Sequence, residues 1–148
     1  MDQKDMKILE LLQTNAKLTS QQISKKTLIP ITTIHNRIKK MEKNGIIKGY
    51  TIKLNHKKLG KGVLAFVLIT VIYVLPDGRR ISQPELAKTI AALPAVEETH
   101  IVTGGADIII KVRVEDVEEL NRFIINELRN LEGVENTQTI ITLSSPDE

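Results

Sequence analysis

Residues 19–45 read TSQQISKKTLIPITTIHNRIKKMEKNG, and this stretch decides the fold of the first part of the chain. Thr19 and Gln22 have the spacing of a capping box, in which each side chain bonds the backbone amide of the other residue. This spacing predicts a short helix that continues through Lys26. The turn-prone residues 27–30 follow, and a segment of helical periodicity comes directly after them. The stretch therefore predicts a helix, a tight turn and a second helix.

The second of these helices is predicted over residues 31–44, because Gly45 follows where a left-handed cap residue is expected. Another helix precedes the stretch. Asp2 and Asp5 can cap its start, and leucine and isoleucine side chains supply its apolar face. Three short helices with a tight turn before the last are typical of a helix-turn-helix domain, to which we assign residues 1–54.

Charge divides the chain into two unlike parts. Residues 1–61 hold 14 lysines and arginines against 4 acidic residues, a formal charge of +10, whereas residues 62–148 hold 7 against 14, a formal charge of −7. Such asymmetry favours nucleic-acid binding by the basic part, and a solvated lysine-rich surface is the alternative. The sign changes near residues 55–62 (NHKKLGKG), a polar segment that we interpret as a linker.

The helix over residues 31–44 has one apolar and one polar face. A helix turns about 100° per residue, so Ile34, Ile38 and Met41 share the face that packs on the other helices. Ile31 lies at the edge of that face. The opposite face suits DNA: side chains near the helix start reach base edges, and lysines hold phosphates. The predicted base contacts are Thr32, Thr33, His35 and Asn36, and the predicted phosphate contacts are Lys39, Lys40 and Lys43.

Two alternatives stay open on this helix. Its polar face could be an ordinary solvated surface. Arg37 falls about 60° from the centre of the apolar face, so it could contact DNA or form a structural ion pair with an acid such as Glu10.

The second part of the chain alternates strand and helix patterns. The predicted order is a strand over 63–74, a helix over 85–93, strands over 96–103 and 107–114, a helix between 117 and 131, and a strand over 134–143. A βαββαβ order is typical of a ferredoxin-like domain, which we assign to residues 63–148. The fold class is therefore α+β. Residues 46–54 are also β-prone.

The first predicted strand of this domain is apolar on both faces. Leu64, Phe66 and Leu68 point to one side, and Ala65 and Val67 point to the other. Two helices cover only one face of a four-stranded sheet, and the other face would expose a large apolar patch. This predicts a homodimer in which two sheets pack face to face.

Glycines let backbone N–H groups approach a ligand closely, and Gly104 and Gly105 lie in the predicted connection between the second and third strands. Their amides could hold an α-carboxylate, while Asp107 or threonine hydroxyls could accept from an α-ammonium. The alternative is a simple hairpin turn in which Asp107 bonds its own backbone.

Several classes of protein are disfavoured. The chain has no Cys, its three histidines lie far apart, and no apolar run approaches the roughly 20 residues of a membrane helix. The N-terminus is unlike a signal peptide. No nucleophile, phosphate-binding loop or carboxylate pair indicates an enzyme, so we expect no catalysis, no cofactor and no metal, and a cytoplasmic location. An architectural DNA-binding protein of low sequence specificity is the remaining alternative.

Five stretches together resemble a known family. In chain order they are DQKDMKIL at 2–9, RIKKME at 37–42, GIIKGYT at 45–51, VTGGAD at 102–107 and GVENTQT at 133–139. Each is weak alone, but all of them in order cover nearly the whole chain. The sequence resembles the leucine-responsive regulatory protein/AsnC family, also called feast/famine regulators.

The resemblance implies a DNA-reading helix-turn-helix, a βαββαβ effector domain, dimers and often octamers of four dimers. It also implies a small effector, usually an amino acid, bound at interfaces of the second domain. The family's effector site matches Gly104 and Asp107 in the hairpin and Thr137 and Thr139 in the last strand. Thr103 and Gly105 are included as neighbours.

Two residues depart from the family pattern. Pro30 stands where a serine often caps the reading helix, so that side-chain cap is lost. Ala106 stands where an aromatic ring is common, which leaves room for a medium polar effector such as glutamine.

Overall fold

The computed structural model describes residues 1–145, so positions 146–148 of the predicted second domain lie outside the described residues. The chain divides into two compact units, Met1–Leu54 and Asn55–Glu148. The segment interpreted as a linker, residues 55–62, is grouped with the second unit. The two units are described in turn.

The first unit contains three helices, α1 (Gln3–Thr14), α2 (Ser20–Thr27) and α3 (Ile31–Lys43). Both predicted capping pairs form. The Asp2 carboxylate accepts from the amide of Asp5 at 3.0 Å, and the Asp5 carboxylate accepts from the amide of Asp2 at 2.9 Å. Thr19 and Gln22 make the equivalent reciprocal bonds at the start of α2. The predicted helix-turn-helix is confirmed.

The turn between α2 and α3 has an unusual backbone. Leu28 ends α2 with φ 60° and is the one residue other than glycine with positive φ in the described part of the chain. Pro30 precedes α3 and provides no side-chain cap, as expected. Gly45 has φ 69°, as predicted for the residue after the helix. Helix α3 therefore begins without the capping bonds that α1 and α2 have.

The core of this unit is small and aliphatic, formed by Ile8, Leu12, Ile23, Ile29, Ile34 and Met41. Ile31, predicted at the edge of the apolar face of α3, is 48% exposed and is not part of this core. It stands on the first turn of α3, at the end of the three-helix packing. Residues 46–54 form no strand, contrary to their β-prone pattern, because no strand of the unit lies alongside to pair with them.

Arg37 joins α3 to the start of α1. Its guanidinium lies 2.7 Å from Asp2 Oδ2 and 2.7 Å from Asp5 Oδ1. The suggestion of Glu10 as partner was wrong. Glu10 lies five positions after Asp5 on the helix, about 7.5 Å along the axis, and Arg37 reaches the first turn of α1.

The second unit is a four-stranded antiparallel sheet with helices on one face. Its elements are β1 (Val63–Val71), α4 (Gln83–Ala91), β2 (Val96–Ile101), β3 (Ile108–Val114), α5 (Val117–Arg122), a π-helical continuation of α5 (Phe123–Leu128) and β4 (Val134–Ile141). The sheet order is β2-β3-β1-β4, with every neighbouring pair antiparallel. The predicted ferredoxin-like arrangement is confirmed.

Element ends differ from the predictions at several places. β1 ends three residues and β4 two residues earlier than predicted. In both cases the apolar run continues beyond the last residue that pairs in the four-stranded sheet. Helix α4 begins at Gln83, two residues earlier than predicted, because the Ser82 hydroxyl accepts from the amide of Glu85. The π-helical segment was not predicted, since the apolar spacing does not distinguish it from α-helix.

The two faces of β1 have different environments. On the helix side Ala65, Val67 and Ile69 are fully buried in the main core. On the other side Leu64 is buried, but Phe66 is 37% exposed. Its neighbours across the sheet on that face include Ile140, which is 49% exposed. The face without helices therefore has an apolar centre, as the sequence pattern predicted.

Gly133, which precedes β4, tolerates no side chain. Its φ is +100°, and an added Cβ would lie 2.7 Å from Cγ2 of Ile81. We expect Gly133→Ala to lower the free energy of unfolding by about 3 kcal/mol, from left-handed strain and overpacking together. Urea unfolding measures it. The control is Gly62→Ala, where the nearest atom is 4.0 Å away and φ is ordinary; equal stabilities of the two variants would contradict the prediction.

The link between Arg37 and α1 predicts a pH dependence. The pKa of Asp5 lies below its ordinary value of 3.8, because the carboxylate accepts from the Asp2 amide and from Arg37. A carboxylate whose pKa is lower in the folded state than in the unfolded state stabilises the fold. This stabilisation is complete at pH values above the unfolded-state pKa, and it is lost as the pH falls through the folded-state pKa. We expect Asp5→Asn to melt below the wild type at pH 7, with the difference vanishing in strong acid. Glu10→Gln is the control, and an Asp5→Asn melting temperature equal to wild type at pH 7 would refute the role of this ion pair.

Candidate nucleic-acid interface and effector site

The predicted DNA-contacting side chains lie on the outer surface of α3. Thr33 is half-buried, and the others are exposed: Thr32, His35, Asn36, Lys39, Lys40 and Lys43. The opposite face of the helix carries Ile34 and Met41, which are buried in the core. The helix thus presents hydroxyl, imidazole, amide and ammonium groups to solvent along one side. Their contacts with DNA stay a prediction.

The ion pair of Arg37 adjoins this surface. Thr33, Asn36 and Lys40 line the same cleft as Asp2, Asp5 and Arg37. The pKa of Arg37 is raised above its ordinary value by its hydrogen bonds to Asp5 and then Asp2. Of the two roles considered for Arg37, the structure supports the ion pair. Its bonds hold the middle of α3 against the start of α1.

A second contact fastens the chain that leaves α3. The hydroxyl of Tyr50 donates to Glu42 Oε1 at 2.8 Å. The pKa of Tyr50 is raised by partial burial and by this bond to a carboxylate. Glu42 is the one acidic residue of α3. The bond therefore holds Tyr50 against the last turn of α3.

The sequence analysis did not predict that two aliphatic side chains at and just before the start of α3 are exposed. Leu28 is 91% exposed in the turn, and Ile31 is 48% exposed on the first turn of the helix. The position of Ile31 at the helix start could have indicated it, because such residues reach base edges in this motif. No pattern in the sequence indicated the conformation of Leu28.

In the second unit, residues 102–107 form the hairpin between β2 and β3. The amide of Val102 donates to the carbonyl of Asp107 at 2.9 Å, and the amide of Asp107 donates to the carbonyl of Ile69 at 2.9 Å. The side chain of Gln83 also donates to the Asp107 carbonyl, at 3.1 Å. The backbone at Asp107 is therefore held by both β1 and α4.

The Asp107 carboxylate is engaged at both oxygens. Oδ2 accepts from the amide of Val71 at 2.8 Å, and Oδ1 accepts from the hydroxyl of Tyr73 at 2.8 Å. The pKa of Tyr73 is raised chiefly by this bond. The Asp107 carboxylate thus ties the hairpin to the end of β1, and both of its bonds go to residues outside the hairpin. Tyr73 and Gln83 were missed, because neither is near the hairpin in sequence.

The tip of the hairpin presents backbone donors. Within residues 1–145, the N–H groups of Gly104 and Gly105 have no hydrogen-bond partner. Nothing lies within 4 Å of where a side chain would extend from either glycine. Thr103 is exposed, whereas Ala106 is 7% exposed and packs inward. Two adjacent amides on an open tip suit a carboxylate ligand.

The predicted threonines lie on the far side of β1. Ile69 of β1 pairs with Ile108 on one side and Thr137 on the other. Two strand spacings separate these flanking residues, about 10 Å. The Thr137 hydroxyl accepts from Arg129 Nε at 2.9 Å, and Thr139 is exposed. One chain therefore brings the hairpin and the threonines to the same sheet without joining them in one pocket.

Across residues 1–145, no group of three His, Asp or Glu side chains is placed to hold a metal ion. In the same range, no helix has the length and apolar character needed to cross a membrane.

Comparison with known proteins gives two family matches. Residues 1–48 match a winged helix-turn-helix DNA-binding model, and residues 64–148 match the Lrp/AsnC ligand binding domain. The second match alone covers more than half of the chain.

Individual relatives support the same family assignment. An HTH-type transcriptional regulator of Pyrococcus horikoshii is 41% identical over 148 residues, covering 100% of this chain and 96% of the relative. The structure of Escherichia coli AsnC is 30% identical with a TM-score of 0.84, covering 99% of this chain and 94% of that one. A Neisseria meningitidis transcriptional regulator in complex with L-Met is 24% identical with a TM-score of 0.89, covering 99% and 92%. This chain belongs to the Lrp/AsnC family of DNA-binding transcriptional regulators.

Proposed function

We propose that this regulator reads a specific DNA sequence and that a free amino acid modulates its assembly or its DNA affinity. The observation that carries the DNA part is the exposed polar and basic face of α3, with Arg37 fixing that helix to α1. The +10 charge of residues 1–61 supplies the attraction to phosphate.

Within this proposal the contacts divide by position. Thr32, Thr33, His35 and Asn36 lie toward the start of α3 and contact bases, where an Asn amide can make a bidentate bond to adenine. Lys39, Lys40 and Lys43 follow and hold phosphates. An architectural protein of low specificity would use the same lysines without base contacts. The ratio of specific to non-specific affinity at a stated salt concentration separates the two.

The proposed assembly is a homodimer formed through the face of the sheet that carries no helices. Phe66 and Ile140 lie opposite each other on that face and are partly exposed, and the half-buried Leu68 continues the apolar surface. Covering this surface with a second copy removes it from water. Two helix-turn-helix units would then read half-sites spaced by helical turns. Family resemblance extends the proposal to octamers.

The proposed effector site is the hairpin at residues 103–107. The amides of Gly104 and Gly105 face the α-carboxylate, and Asp107 acts by fixing the loop, since both its oxygens accept bonds within the chain. Thr137 and Thr139 come from a neighbouring subunit, because β1 separates them from the hairpin of their own chain. The Neisseria relative was solved with L-Met, which supports an amino acid as the ligand class.

Glutamine is the proposed effector, because Ala106 stands where the family resemblance places an aromatic ring. A ligand at a subunit interface shifts DNA affinity only as far as it discriminates between assemblies. The protein so described acts in the cytoplasm, without catalysis and without a cofactor.

The DNA proposal predicts different effects for two side chains of α3. Asn36→Ala should weaken binding to a selected operator by about 1–3 kcal/mol and relax specificity at one base pair, because a base contact is lost. Lys40→Ala should weaken binding to all sequences alike and reduce the slope of log affinity against log salt. Fluorescence anisotropy on operator and scrambled DNA measures both. Operator affinity unchanged in Asn36→Ala would remove it from the reading surface.

The effector proposal predicts that two substitutions at the hairpin weaken amino-acid binding to different extents. Tyr73→Phe removes one donor to Asp107 and should weaken amino-acid binding severalfold, whereas Asp107→Ala frees the hairpin and should abolish it. Calorimetric titration against the twenty amino acids, with sedimentation velocity on the same samples, measures binding and assembly together. Arg80→Ala, an exposed change outside the hairpin, is the control. Wild-type affinity in Asp107→Ala, or no binding below millimolar concentration in the wild type, would show that the site is wrong.

A further inference from the structure

The turn that leads into α3 holds a leucine in a conformation that leucine disfavours. Leu28 has φ 60°, where the Cβ of an L-residue crowds the following carbonyl. Glycine adopts this backbone without that clash. The leucine side chain is 91% exposed, so burial within the unit does not offset the strain. Strained residues of this kind cluster at functional positions.

A second aliphatic side chain stands beside it. Ile31 is the first residue of α3, three positions after Leu28, and is 48% exposed. Neither residue belongs to the core of the unit. We call this pair, Leu28 and Ile31, the turn patch. It is continuous along the chain with Thr32 and Thr33 of the predicted reading surface.

We propose that the turn patch reads DNA, by packing Leu28 and Ile31 against thymine methyl groups in the major groove. The C5-methyl of thymine is the one apolar group that base edges present there, and aliphatic side chains recognise it by contact. The first turn of a reading helix enters the groove, and the patch lies at that turn. Lys25 and Lys26 precede Leu28 by three and two positions in the last turn of α2, so the turn patch follows a cationic segment, which favours DNA as the occupant.

This inference rests on the proposal that α3 reads a specific sequence, and it adds a hydrophobic component to that reading. Hydrogen bonds from Asn36 or His35 select bases by donor and acceptor pattern. The turn patch selects thymine from cytosine, because cytosine lacks the methyl group. A Leu28→Gly substitution separates the two components, since it removes the side chain and also relieves the backbone.

The experiment uses the full-length protein and an operator selected from a random DNA pool. Each thymine of one half-site is replaced by deoxyuridine, which deletes the methyl group and keeps the hydrogen bonds. For the wild type, we expect about a fourfold loss of affinity at one or two positions, the value of one buried methyl. Leu28→Gly should bind the unmodified operator about tenfold more weakly and be insensitive to deoxyuridine at one of those positions. Ile31→Ala should be insensitive at the same or the adjacent position.

Two controls sharpen the result. Met6→Ala removes an exposed apolar side chain from α1 and should keep the wild-type response to deoxyuridine. The melting temperature of Leu28→Gly should equal or exceed that of the wild type. Its weaker DNA binding would then not result from a loss of stability. All affinities are read where both proteins are folded, so the comparison holds whatever the stability change.

The outcomes are distinguishable. If deoxyuridine affects the wild type and Leu28→Gly equally, the turn patch does not read thymine, although α3 still reads DNA. If Leu28→Gly changes the sedimentation coefficient and leaves operator affinity intact, the patch contacts a second copy of the chain and the inference is wrong. If no sequence is enriched from the pool, sequence-specific reading fails and the inference fails with it.

Discussion

The second unit depends on the central position of β1. This strand pairs with β3 on one side and β4 on the other, and both ladders are antiparallel. Just beyond its end, the amide of Ile72 donates to the carbonyl of Gly133, while the amide of Val71 donates to Asp107. The hairpin and the last strand are therefore positioned by the same few residues of backbone. A ligand that moved the hairpin would act directly on the strand that carries Phe66 of the proposed dimer surface.

The capping signals and apolar periodicities predicted most of the fold because they are local. Asp2 with Asp5, and Thr19 with Gln22, form reciprocal bonds within four residues of chain, so sequence spacing alone determines whether they can form. The strand order followed from the βαββαβ pattern. Residues 46–54 show the limit of this reasoning, since a strand needs a partner and propensity does not supply one.

The parts of the candidate sites that sequence reasoning missed are contacts between distant segments. Arg37 reaches Asp5 across 32 positions, and Tyr73 reaches Asp107 across 34. Helical geometry placed Arg37 near the apolar face and correctly allowed an ion pair, but the partner depends on how α1 crosses α3. Tyr73 lies past the end of β1, where neither strand nor helix periodicity applies. Such contacts follow from tertiary packing, which one sequence does not reveal.

The three helices of the first unit differ in how their starts are capped. The starts of α1 and α2 have complete capping boxes, whereas α3 begins at Pro30 with no side-chain cap and follows Leu28 in the left-handed region. The reading helix is instead held from its middle, by Arg37 against Asp2 and Asp5. Amide donors at a helix start that no side chain caps remain able to bond phosphate or water. Natural chains depart from local rules mainly at functional sites, and here the departures coincide with the end of α3 that faces the bases in the proposed complex. The geometry thus combines an ion-pair attachment at the centre of the helix with an uncapped, partly apolar first turn, which is the part of the helix that contacts bases in the proposed complex.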